Sequence, residues 1–476
     1  MTTELQLPKG WKKTTLGAEF EWSSGGTPKS GIPAYYENGS IHWLNISDLN
    51  DGLVSYAEKK ITELGLQESS AKIVPQGAVL IAIYGSIGKL GINTIPLATN
   101  QAICFTKKIP EYILNKFLFY YLLSIRNQLI SMGKGGTQQN ISQTVLKGVP
   151  FFYPTSKETQ QAIVNKIESL FDEIDEGIGR LKTAAQQIQQ YRQSLLKNAF
   201  NGELTKEWRS KHADTLPSEN ELLAQIQTAR EQHHAQQLAD WQTAVSQWEQ
   251  NGKEGKKPSK PKALTQAVKF EENVADLPRG WIWGKLSDLG ELARGKSKHR
   301  PRNDKKLFGG KYPFIQTGEV RAANRIIKKY EQTYSEFGLE QSKLWQKGTL
   351  CITIAANIAE TAFLGFDACF PDSIVGFSAS KAVLPEYIEL FIKSARTKIE
   401  SYAPATAQKN INLNTLENLI VPYCSLTEQT QIVAILESKL TACDQLADEI
   451  AKQLKQAELL KQAVLKAAFS GSLLDK

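Results

Sequence analysis

The chain has 476 residues, of which 41% are hydrophobic, and this length predicts two or more folded cores because single cores rarely exceed about 250 residues. No apolar run approaches the roughly 20 residues of a membrane span, and the amino-terminal residues lack the basic and apolar pattern of a signal peptide, so we expect a cytoplasmic protein. The formal net charge of +8 favours polyanionic partners only weakly, since proteins that bind no polyanion also reach it.

The sequence contains one module twice. The pentapeptide Leu-Pro-Lys-Gly-Trp at residues 7–11 returns as Leu-Pro-Arg-Gly-Trp at residues 277–281. The tripeptide Gln-Asn-Ile at residues 139–141 returns at the same spacing as Lys-Asn-Ile at residues 409–411. Self-similarity at a fixed period over nearly the whole chain predicts two copies of one structural unit.

Each copy begins with a globular segment, residues 1–154 in the first copy and residues 277–424 in the second. Short β-branched and aromatic runs, such as residues 78–84 and 350–355, alternate with clusters of Gly, Pro, Asn and Ser and predict strands and turns. An amphipathic helix is predicted later in each segment, at residues 112–130 and 387–402. The segments therefore belong to the α/β (α+β) class, but their strand order does not follow from the pattern.

Residues 206–276 lie between the two copies and predict a helix followed by a linker. Residues 219–248 carry apolar residues at helical spacing, including Leu222 and Trp241. Residues 251–262 are rich in Lys, Gly and Pro, which is the composition of a mobile basic linker. We favour a linker over the alternative of a DNA-binding arm for this stretch.

The longest predicted elements are two helices, at residues 155–205 and 425–476. Each starts with a capping-box pattern, formed by Thr155 with Glu158 and by Ser425 with Glu428. Apolar residues then repeat every seven positions with 3,4 spacing, as in a coiled coil, and Arg192 and Lys461 interrupt both seams at the same rung. The seam residues are Ile167, Phe171, Ile174, Ile178, Leu181, Ile188 and Leu195 in the first helix and Leu436, Leu440, Ile450, Leu454 and Val464 in the second. We expect an antiparallel coiled coil that relates the two copies by approximate two-fold symmetry.

The sequence shows no catalytic constellation. Residues 85–90 resemble a phosphate-binding loop, but the glycines are too close and leucine stands where Ser or Thr would contact magnesium. The chain also lacks a strand followed by GxGxxG, the Asn-Pro-Pro-aromatic motif of DNA amino-methyltransferases, and the HExxH and HNH metal motifs. Asp372 could join a metal-dependent nuclease site, but a turn is the simpler interpretation. The five cysteines are far apart without a CxxC pair, which predicts reduced, buried thiols rather than a zinc site or disulfides.

The remaining candidate chemistry is the binding of a polyanion. Eight basic residues and one acid lie between Arg294 and Lys311 in a loop rich in Gly and Pro, a density suited to phosphate neutralisation, although a solvated surface loop is the alternative. In the first copy, loops at residues 23–30 and 133–140 offer backbone donors and amide side chains that suit phosphate and adenine, although such loops are also ordinary turns. The candidate DNA-binding residues are Gly26, Thr27, Lys29, Ser86, Lys89, Gln138, Gln139 and Asn140 in the first copy and Lys296, Lys298, Arg300, Arg302, Arg321, Gln408, Lys409 and Asn410 in the second.

Five short motifs occur in a fixed order along the chain. They are Leu-Pro-x-Gly-Trp, Ser-Gly-Gly-Thr-Pro at residues 24–28, Gly-Gly-Thr-Gln-x-Asn-Ile at residues 135–141, Ala-Phe-x-Gly-x-Leu-Thr at residues 199–205 and Glu-Gln-x-x-Ile-Val at residues 428–433. Their order and duplication resemble the DNA-specificity subunit of type I restriction-modification enzymes. The copies depart from the pattern in three places, at residues 158–160, 293–297 and 405–408. These departures affect the transfer of individual DNA contacts more than the overall resemblance.

The resemblance implies two target-recognition domains, each of which reads one half of an asymmetric bipartite site in double-stranded DNA, joined by a helical spacer. It also implies a noncatalytic subunit that binds no cofactor and contacts no membrane. Its partners would be two methyltransferase subunits with S-adenosylmethionine and, through them, restriction subunits that use ATP and Mg2+. Two other classes of function stay open, namely a stand-alone DNA methyltransferase or nuclease, and a coiled-coil scaffold without a DNA role.

Overall fold

The computed structural model describes residues 7–134, 139–254, 257–261, 263–264, 276–403 and 410–474. The chain divides into two compact units. The first unit comprises Met1–Ala184 and Glu449–Lys476, and the second comprises Ala185–Asp448. Each unit therefore combines one globular segment with part of both long helices. Within the described ranges, no helix is both long enough and apolar enough to cross a membrane.

The strands of the first unit form a two-stranded, a four-stranded and a five-stranded sheet. They are β1 (Trp11–Thr15), β2 (Glu21–Ser24), β3 (Ile41–Leu44), β4 (Gly52–Val54), β5 (Lys60–Ile61), β6 (Ile73–Val74), β7 (Val79–Ala82), β8 (Leu90–Asn93), β9 (Leu97–Thr99), β10 (Ile103–Lys108) and β11 (Pro150–Pro154). The sheet orders are β1-β11, β5-β3-β9-β6 and β2-β10-β7-β8-β4. Because Trp11 lies opposite Pro154, the β1–β11 pair holds the start of the globular segment beside its exit into the long helix.

The helices include the two long ones that the seam predicts. In the first copy they are α1 (Leu16–Glu19), α2 (Glu63–Gln67), α3 (Asn115–Ser124), α4 (Arg126–Ser131), α5 (Gln143–Gly148) and α6 (Lys157–Phe200). The connecting segment forms α7 (Lys206–Lys211) and α8 (Glu219–Gln250). In the second copy they are α9 (Leu286–Leu289), α10 (Thr317–Ala322), α11 (Glu336–Glu340), α12 (Pro385–Ser394), α13 (Arg396–Ser401), α14 (Leu413–Glu417) and α15 (Leu426–Ser470). Each predicted amphipathic helix of the globular segments is observed as two consecutive short helices, α3 with α4 and α12 with α13.

The second unit repeats the central sheet of the first. Its strands are β12 (Trp281–Lys285), β13 (Gly290–Arg294), β14 (Phe308–Phe314), β15 (Ile326–Ile327), β16 (Gln332–Tyr334), β17 (Leu350–Thr353), β18 (Thr361–Leu364), β19 (Ile374–Ala379) and β20 (Ile420–Cys424). The five-stranded order β13-β19-β17-β18-β15 matches β2-β10-β7-β8-β4 strand for strand, and the last strand of each sheet pairs in parallel with its neighbour. The pair β12-β20 repeats β1-β11, and the antiparallel pair β14-β16 corresponds to β3-β5 of the first unit. The duplication in the sequence is therefore a duplication of fold.

One hydrophobic core in each unit joins the globular segment to both long helices. The core of the first unit includes Phe117 of α3, Phe151 of β11, Ile167 of α6 and Val464 of α15. The core of the second unit includes Tyr387 of α12, Tyr423 of β20, Leu195 of α6 and Leu436 of α15. Each fully buried large apolar side chain stabilises the fold by about 1.5–3 kcal/mol. The globular segments are thus fixed to the helices by packing.

A buried glutamine also ties the start of each long helix to its globular segment. The Gln160 Oε1 atom accepts a hydrogen bond of 2.9 Å from the Leu114 backbone N–H, and its Nε2 atom donates to two backbone carbonyls. Gln429 is the equivalent residue of the second copy and makes the same set of bonds, with Leu384 as the backbone donor at 2.9 Å. Both side chains are fully buried, so their amide groups are satisfied by the protein itself.

The two long helices pack together and run antiparallel. In the first unit the Lys461 Nζ atom lies 2.5 Å from the Asp175 carboxylate, and in the second unit Arg192 forms an ion pair with Asp444. Asp444 corresponds to Asp175 in the repeat, and Lys461 corresponds to Arg192, so the two ion pairs are equivalent. All the seam residues named above are buried or half-buried. The predicted fold class, two α/β segments with packed long helices, is confirmed.

The helix starts differ from the predicted capping boxes. In the first copy Ser156, not Thr155, is the cap, because its Oγ atom accepts from the Thr159 N–H at 3.1 Å. Thr155 instead donates to the Gly10 carbonyl. In the second copy the Ser425 Oγ atom accepts from the Glu428 N–H at 3.3 Å as predicted. The Glu428 carboxylate, however, binds side chains of other elements and leaves the box incomplete.

The helix α8 packs against the second globular segment. Its residues Leu222 and Ile226 are buried in the second core, and Arg230 lies 2.7 Å from Asp288 of α9. Burial raises the pKa of Asp288, and the neighbouring Arg230 charge opposes this effect. Residues 257–261 of the predicted linker lie against α8, since the Trp241 Nε1 atom donates to the Pro258 carbonyl at 3.1 Å. This part of the basic stretch is therefore packed rather than free.

The cysteines are buried thiols, as the sequence predicts. All five are free and buried. Burial raises the pKa of the Cys351 thiol, and burial also raises the pKa of Cys424, which lies in β20. These two thiols are therefore neutral at physiological pH, which makes them poor nucleophiles and poor metal ligands.

Candidate nucleic-acid interface

A hairpin tip in the first unit brings four of the candidate residues together. The tip is residues 84–89, between β7 and β8, and it pairs with residues 139–141 through a bridge from Tyr84 to Asn140. The Gly85 N–H donates to the Gln139 carbonyl at 3.1 Å. Ser86, Gln139 and Asn140 are all exposed here. Lys89 is half-buried, and its Nζ atom donates to the Ile46 carbonyl at 3.1 Å. This lysine therefore links the hairpin tip to the segment after β3.

The first glycine-rich loop reaches the same region through the turn between β9 and β10. The Gly26 N–H donates to the Thr99 carbonyl at 2.9 Å, and the Thr27 hydroxyl bonds to the amide oxygen of Gln101. The same turn accepts a bond of 2.9 Å from the Ile83 N–H at its Ala102 carbonyl. Residues 25–29, 84–89, 99–102 and 139–141 therefore form one continuous surface, which we name the first polar surface. Lys29 and Thr27 are exposed on it.

The second unit assembles an equivalent surface from the equivalent segments. The Gly295 N–H donates to the Ile374 carbonyl at 2.9 Å, as the Gly25 N–H does to the Ile103 carbonyl at 3.2 Å. The Ile354 N–H donates to the Ser373 carbonyl at 3.0 Å. A bridge from Ala355 to Asn410 repeats the one from Tyr84 to Asn140. We name residues 295–302, 355–360, 371–373 and 410–411 the second polar surface.

The basic loop of the second polar surface is ordered by backbone contacts and exposes its charges. The Lys298 N–H donates to the Gln341 carbonyl at 3.2 Å, and the Ser342 hydroxyl donates to the Lys296 carbonyl at 2.8 Å. The exposed basic residues are Lys296, Lys298, Arg300 and Arg302. The backbone N–H of Lys306 holds the pKa of Asp304 below its usual value, so this lone acid of the stretch is ionised at neutral pH. The loop therefore has an ordered backbone and exposes four basic side chains.

Two arginines of this region are held by polar partners. The Arg302 NH2 atom lies 3.1 Å and 3.0 Å from the two carboxylate oxygens of Asp372, in the turn before β19. The Arg321 NH1 atom donates to the Asn357 Oδ1 atom at the hairpin tip at 3.3 Å. Arg321 therefore borders the second polar surface although it comes from α10.

Some members of the two surfaces do not follow from the sequence. Gln101, Asn357 and Asp372 belong to the surfaces but are not among the predicted DNA-binding residues. The sequence does contain a pattern that could have identified two of them. Gln101 and Asp372 stand at nearly equivalent places in the repeat, and each precedes a strand-like run in its copy. The predicted residues Gln138, Gln408 and Lys409 lie outside the described residues. Within the described ranges, no group of three or more His, Cys, Asp or Glu residues is placed to hold a metal ion.

Replacing Gly295 by alanine is expected to destabilise the second unit. A Cβ atom at this position would overlap the carbonyl oxygens of Phe370 and Pro371, so the basic loop would have to move off the turn before β19. Overpacking of this kind costs about 1–3 kcal/mol. Urea unfolding monitored by tryptophan fluorescence measures the change. Gly318→Ala is the matched control, because Gly318 lies in α10 with open space around its Cα atom, and an equal loss in both variants would contradict the steric argument.

A family model described as the type I restriction modification DNA specificity domain matches residues 8–182 and again residues 278–456. The chain belongs to this family. It therefore carries two specificity domains, each made of a globular segment and part of a long helix. The two matches coincide with the duplication seen in the sequence and in the sheets.

The chain is similar in sequence to specificity subunits of known type I restriction enzymes. The chain is 23% identical over 491 residues to the specificity subunit of the type I restriction enzyme EcoKI from Escherichia coli K12, covering 98% of this chain and 90% of that protein. It is 31% identical over 195 residues to the EcoR124I/EcoR124II specificity subunit of Escherichia coli, covering 39% of this chain and 47% of that protein. The chain thus spans nearly the full length of the EcoKI subunit.

Solved structures show the same fold. A chain from a structure of the type I R-M system, which concerns complex assembly and conformational transition, is similar with a TM-score of 0.70 and 17% identity over 98% of this chain and 100% of that one. The HsdS subunit from Thermoanaerobacter tengcongensis is similar with a TM-score of 0.54 and 16% identity over 99% of both chains. Both structures therefore share the overall fold of this chain.

Proposed function

We propose that this chain is the noncatalytic specificity subunit of a type I restriction-modification complex in the cytoplasm, and that it reads a bipartite, asymmetric site in double-stranded DNA. The observation that carries the proposal is the pair of specificity domains, each of which presents a polar surface built from the same segments. Each surface would read one half of the site. Two similar specificity domains joined by one pair of helices suit a DNA target that has two half-sites.

The two polar surfaces differ in chemistry, and this difference supports an asymmetric site. The first surface exposes neutral hydroxyl and amide groups, such as Ser86, Gln139 and Asn140, which suit backbone and adenine contacts. The second surface exposes Lys296, Lys298 and neighbouring arginines, which suit phosphate and guanine contacts. Surfaces with different donors and acceptors read different base sequences, so the two half-sites differ.

The long helices are the proposed docking site for two methyltransferase subunits. Tyr191 on α6 and Leu460 on α15 are equivalent positions of the repeat and are 46% and 52% exposed, so each copy presents a large apolar side chain at the same place. The recurrence of this exposed side chain in both copies supports two equivalent docking positions. In this proposal the methyltransferase subunits bind S-adenosylmethionine, and restriction subunits that dock through them use ATP and Mg2+. This chain contributes DNA reading and assembly.

Exchanging residues 1–154 for the matching segment of a relative with a different target tests this proposal. The chimera keeps Phe117 and Tyr121, because their rings pack 5.3 Å and 5.2 Å from the ring of Phe469 on α15. In the complete complex, the methylated site is expected to change in one half and stay the same in the other. The measurement is genome-wide mapping of methylated bases in cells that express the whole complex.

The other outcomes of the exchange decide between the remaining classes of function. A change in both halves of the methylated site, or in neither, would contradict the proposal that each specificity domain reads one half of the site. DNA cleavage or methylation by the purified chain without partners would favour a stand-alone enzyme. A complex that binds DNA without any sequence preference, and with the same affinity after the exchange, would favour an assembly scaffold. The matched control is an exchange of residues 277–424, which is expected to change only the opposite half.

A further inference from the structure

Asp372 is an acid beside the basic loop of the second polar surface, and its contacts explain its presence. Both carboxylate oxygens accept from the Arg302 NH2 atom, and the Asp372 backbone carbonyl accepts from the Arg294 Nε atom at 2.9 Å. The Asp372 side chain is 40% exposed and the Arg302 side chain is 53% exposed, so the pair faces solvent. Within the described part of the chain, the Arg302 NH1 and Nε atoms have no other hydrogen-bond acceptor.

The turn that carries Asp372 does not need a carboxylate in order to fold. The corresponding turn of the first specificity domain carries Gln101, which is neutral and contacts the Thr27 hydroxyl. Both turns nevertheless receive the same backbone bonds, from Gly25 and Ile83 in the first domain and from Gly295 and Ile354 in the second. The carboxylate at position 372 is therefore matched to Arg302 rather than to the backbone.

An acid paired with an exposed arginine is a poor arrangement for binding a phosphate. The carboxylate cancels part of the charge that attracts the DNA backbone, and neighbouring lysines without such a partner serve that purpose better. The pair instead fixes the direction of a planar guanidinium, which lowers the entropy lost when Arg302 makes further hydrogen bonds. A fixed, planar pair of N–H donors matches the O6 and N7 acceptors of guanine in the major groove.

We propose that Arg302 reads a guanine in the half-site of the second specificity domain and that Asp372 is the positioning residue that holds it. This inference rests on the proposed DNA-reading function and adds the base and the residue pair to it. The N–H groups of Arg302 that do not point at Asp372 donate to O6 and N7 of the guanine. The exposed lysines of the same loop supply the sequence-independent contacts to phosphate.

The test is a comparison of Arg302→Lys, Asp372→Asn and the control Arg279→Lys in the complete complex with its methyltransferase partners. A DNA library that varies each position of the site measures the preference for every base, and salt titrations measure phosphate contacts. Arg302→Lys keeps the charge but loses the planar fork, so discrimination at one G·C pair of one half-site is expected to fall about 5- to 150-fold. Asp372→Asn is expected to relax the same position to a smaller degree.

The control and the contrary outcomes separate this inference from the proposed function. Arg279 is also an exposed arginine of the second specificity domain, but it lies outside the second polar surface, and Arg279→Lys is expected to leave base preferences unchanged. The variant Arg302→Ala is measured as well. Unchanged base preferences in Arg302→Lys, with a uniform loss of affinity and a smaller salt dependence in Arg302→Ala, would make Arg302 a phosphate contact and overturn the inference alone. Relaxation at different positions in Arg302→Lys and Asp372→Asn would also overturn it. Failure of the wild-type complex to prefer any sequence would instead overturn the proposed function.

Discussion

Replacing Glu428 by alanine is expected to lower the free energy of unfolding of the second unit by about 3–5 kcal/mol, which is the usual cost of breaking a buried ion pair. The Glu428 side chain is 0% exposed, and that of its partner Arg209 is 10% exposed. The Arg209 NH1 atom lies 2.6 Å from the Glu428 Oε1 atom. Without the carboxylate, the buried guanidinium keeps its charge and loses its counter-ion, and this uncompensated charge causes the loss.

The effect is large because Glu428 joins four elements at one point. Its Oε1 atom also accepts from the Thr205 hydroxyl at 2.7 Å, and its Oε2 atom accepts from the Trp281 Nε1 atom at 2.9 Å. The carboxylate of α15 thus connects the turn after α6, the helix α7 and the first strand of the second globular segment. Removing it leaves buried donors without acceptors, each at a cost of about 1–3 kcal/mol.

Urea unfolding with tryptophan fluorescence measures this prediction, since Trp281 lies in the cluster. Glu428→Gln keeps an oxygen acceptor but removes the charge, and it is expected to lose less stability than Glu428→Ala. Thr427→Ala is the matched control, because Thr427 is the exposed neighbour of Glu428 on the same helix turn. Equal stability of Glu428→Ala and the wild type would show that the ion pair does not hold the junction.

The sequence predicts the long helices well because their signal is local. The 3,4 spacing of residues such as Ile167 and Leu436 depends only on the periodicity of one helix, and the repeat places both helices at once. The predicted cap of α6 is wrong by one residue, since Thr155 and Ser156 both have a hydroxyl that suits a cap. Only the contact of Thr155 with the Gly10 carbonyl, far away in the chain, decides between them.

The polar surfaces are harder to predict because distant segments build them. The sequence identifies loops near Thr27, Ser86 and Asn140 one by one, but the sheet order that brings them together does not follow from strand patterns. The contribution of Gln101 and Asp372 depends on how the turn before β10 or β19 meets the glycine-rich loop, which is a tertiary contact.

The role of Glu428 shows the same limit of local patterns. Its position three residues after Ser425 predicts a capping box, which is a contact within one helix turn. In the structure its carboxylate instead binds Arg209 and Trp281, which are far from it in sequence. A local pattern can therefore identify a helix start without identifying what the side chain contacts.

Insertion of one heptad into both long helices is expected to change or abolish recognition of the natural DNA site. Asp175 faces Lys461, and Arg192 faces Asp444. Interpolation between these two pairs places the peptide bond after Thr183 opposite the peptide bond after Lys452. Duplicating residues 177–183 and 446–452 at these two points keeps the seam in phase and lengthens each helix by about 10 Å. At about 3.4 Å per base pair this corresponds to about three base pairs.

The expected loss for the natural site is large because DNA is helical. About three additional base pairs rotate one half-site by roughly 100° relative to the other, since a turn of DNA contains about 10 base pairs, whereas a heptad turns the helix ends by only about 20°. Binding of the natural site is therefore expected to fall towards the nonspecific level, by about 10³-fold or more. Methylation mapping and binding to sites with altered spacers measure the new preference.

Two further insertions make this test specific for the helical pair. A heptad in α6 alone prevents the Asp175–Lys461 and Arg192–Asp444 pairs from forming together, so it is expected to destabilise the protein rather than to select a new spacer. An insertion of the same length at Gly252, in the exposed turn after α8, leaves both helices intact and is expected to preserve the natural site. An unchanged spacer and affinity after the paired insertion would mean that the helices do not set the separation of the half-sites, and the docking of partners would then be their remaining role.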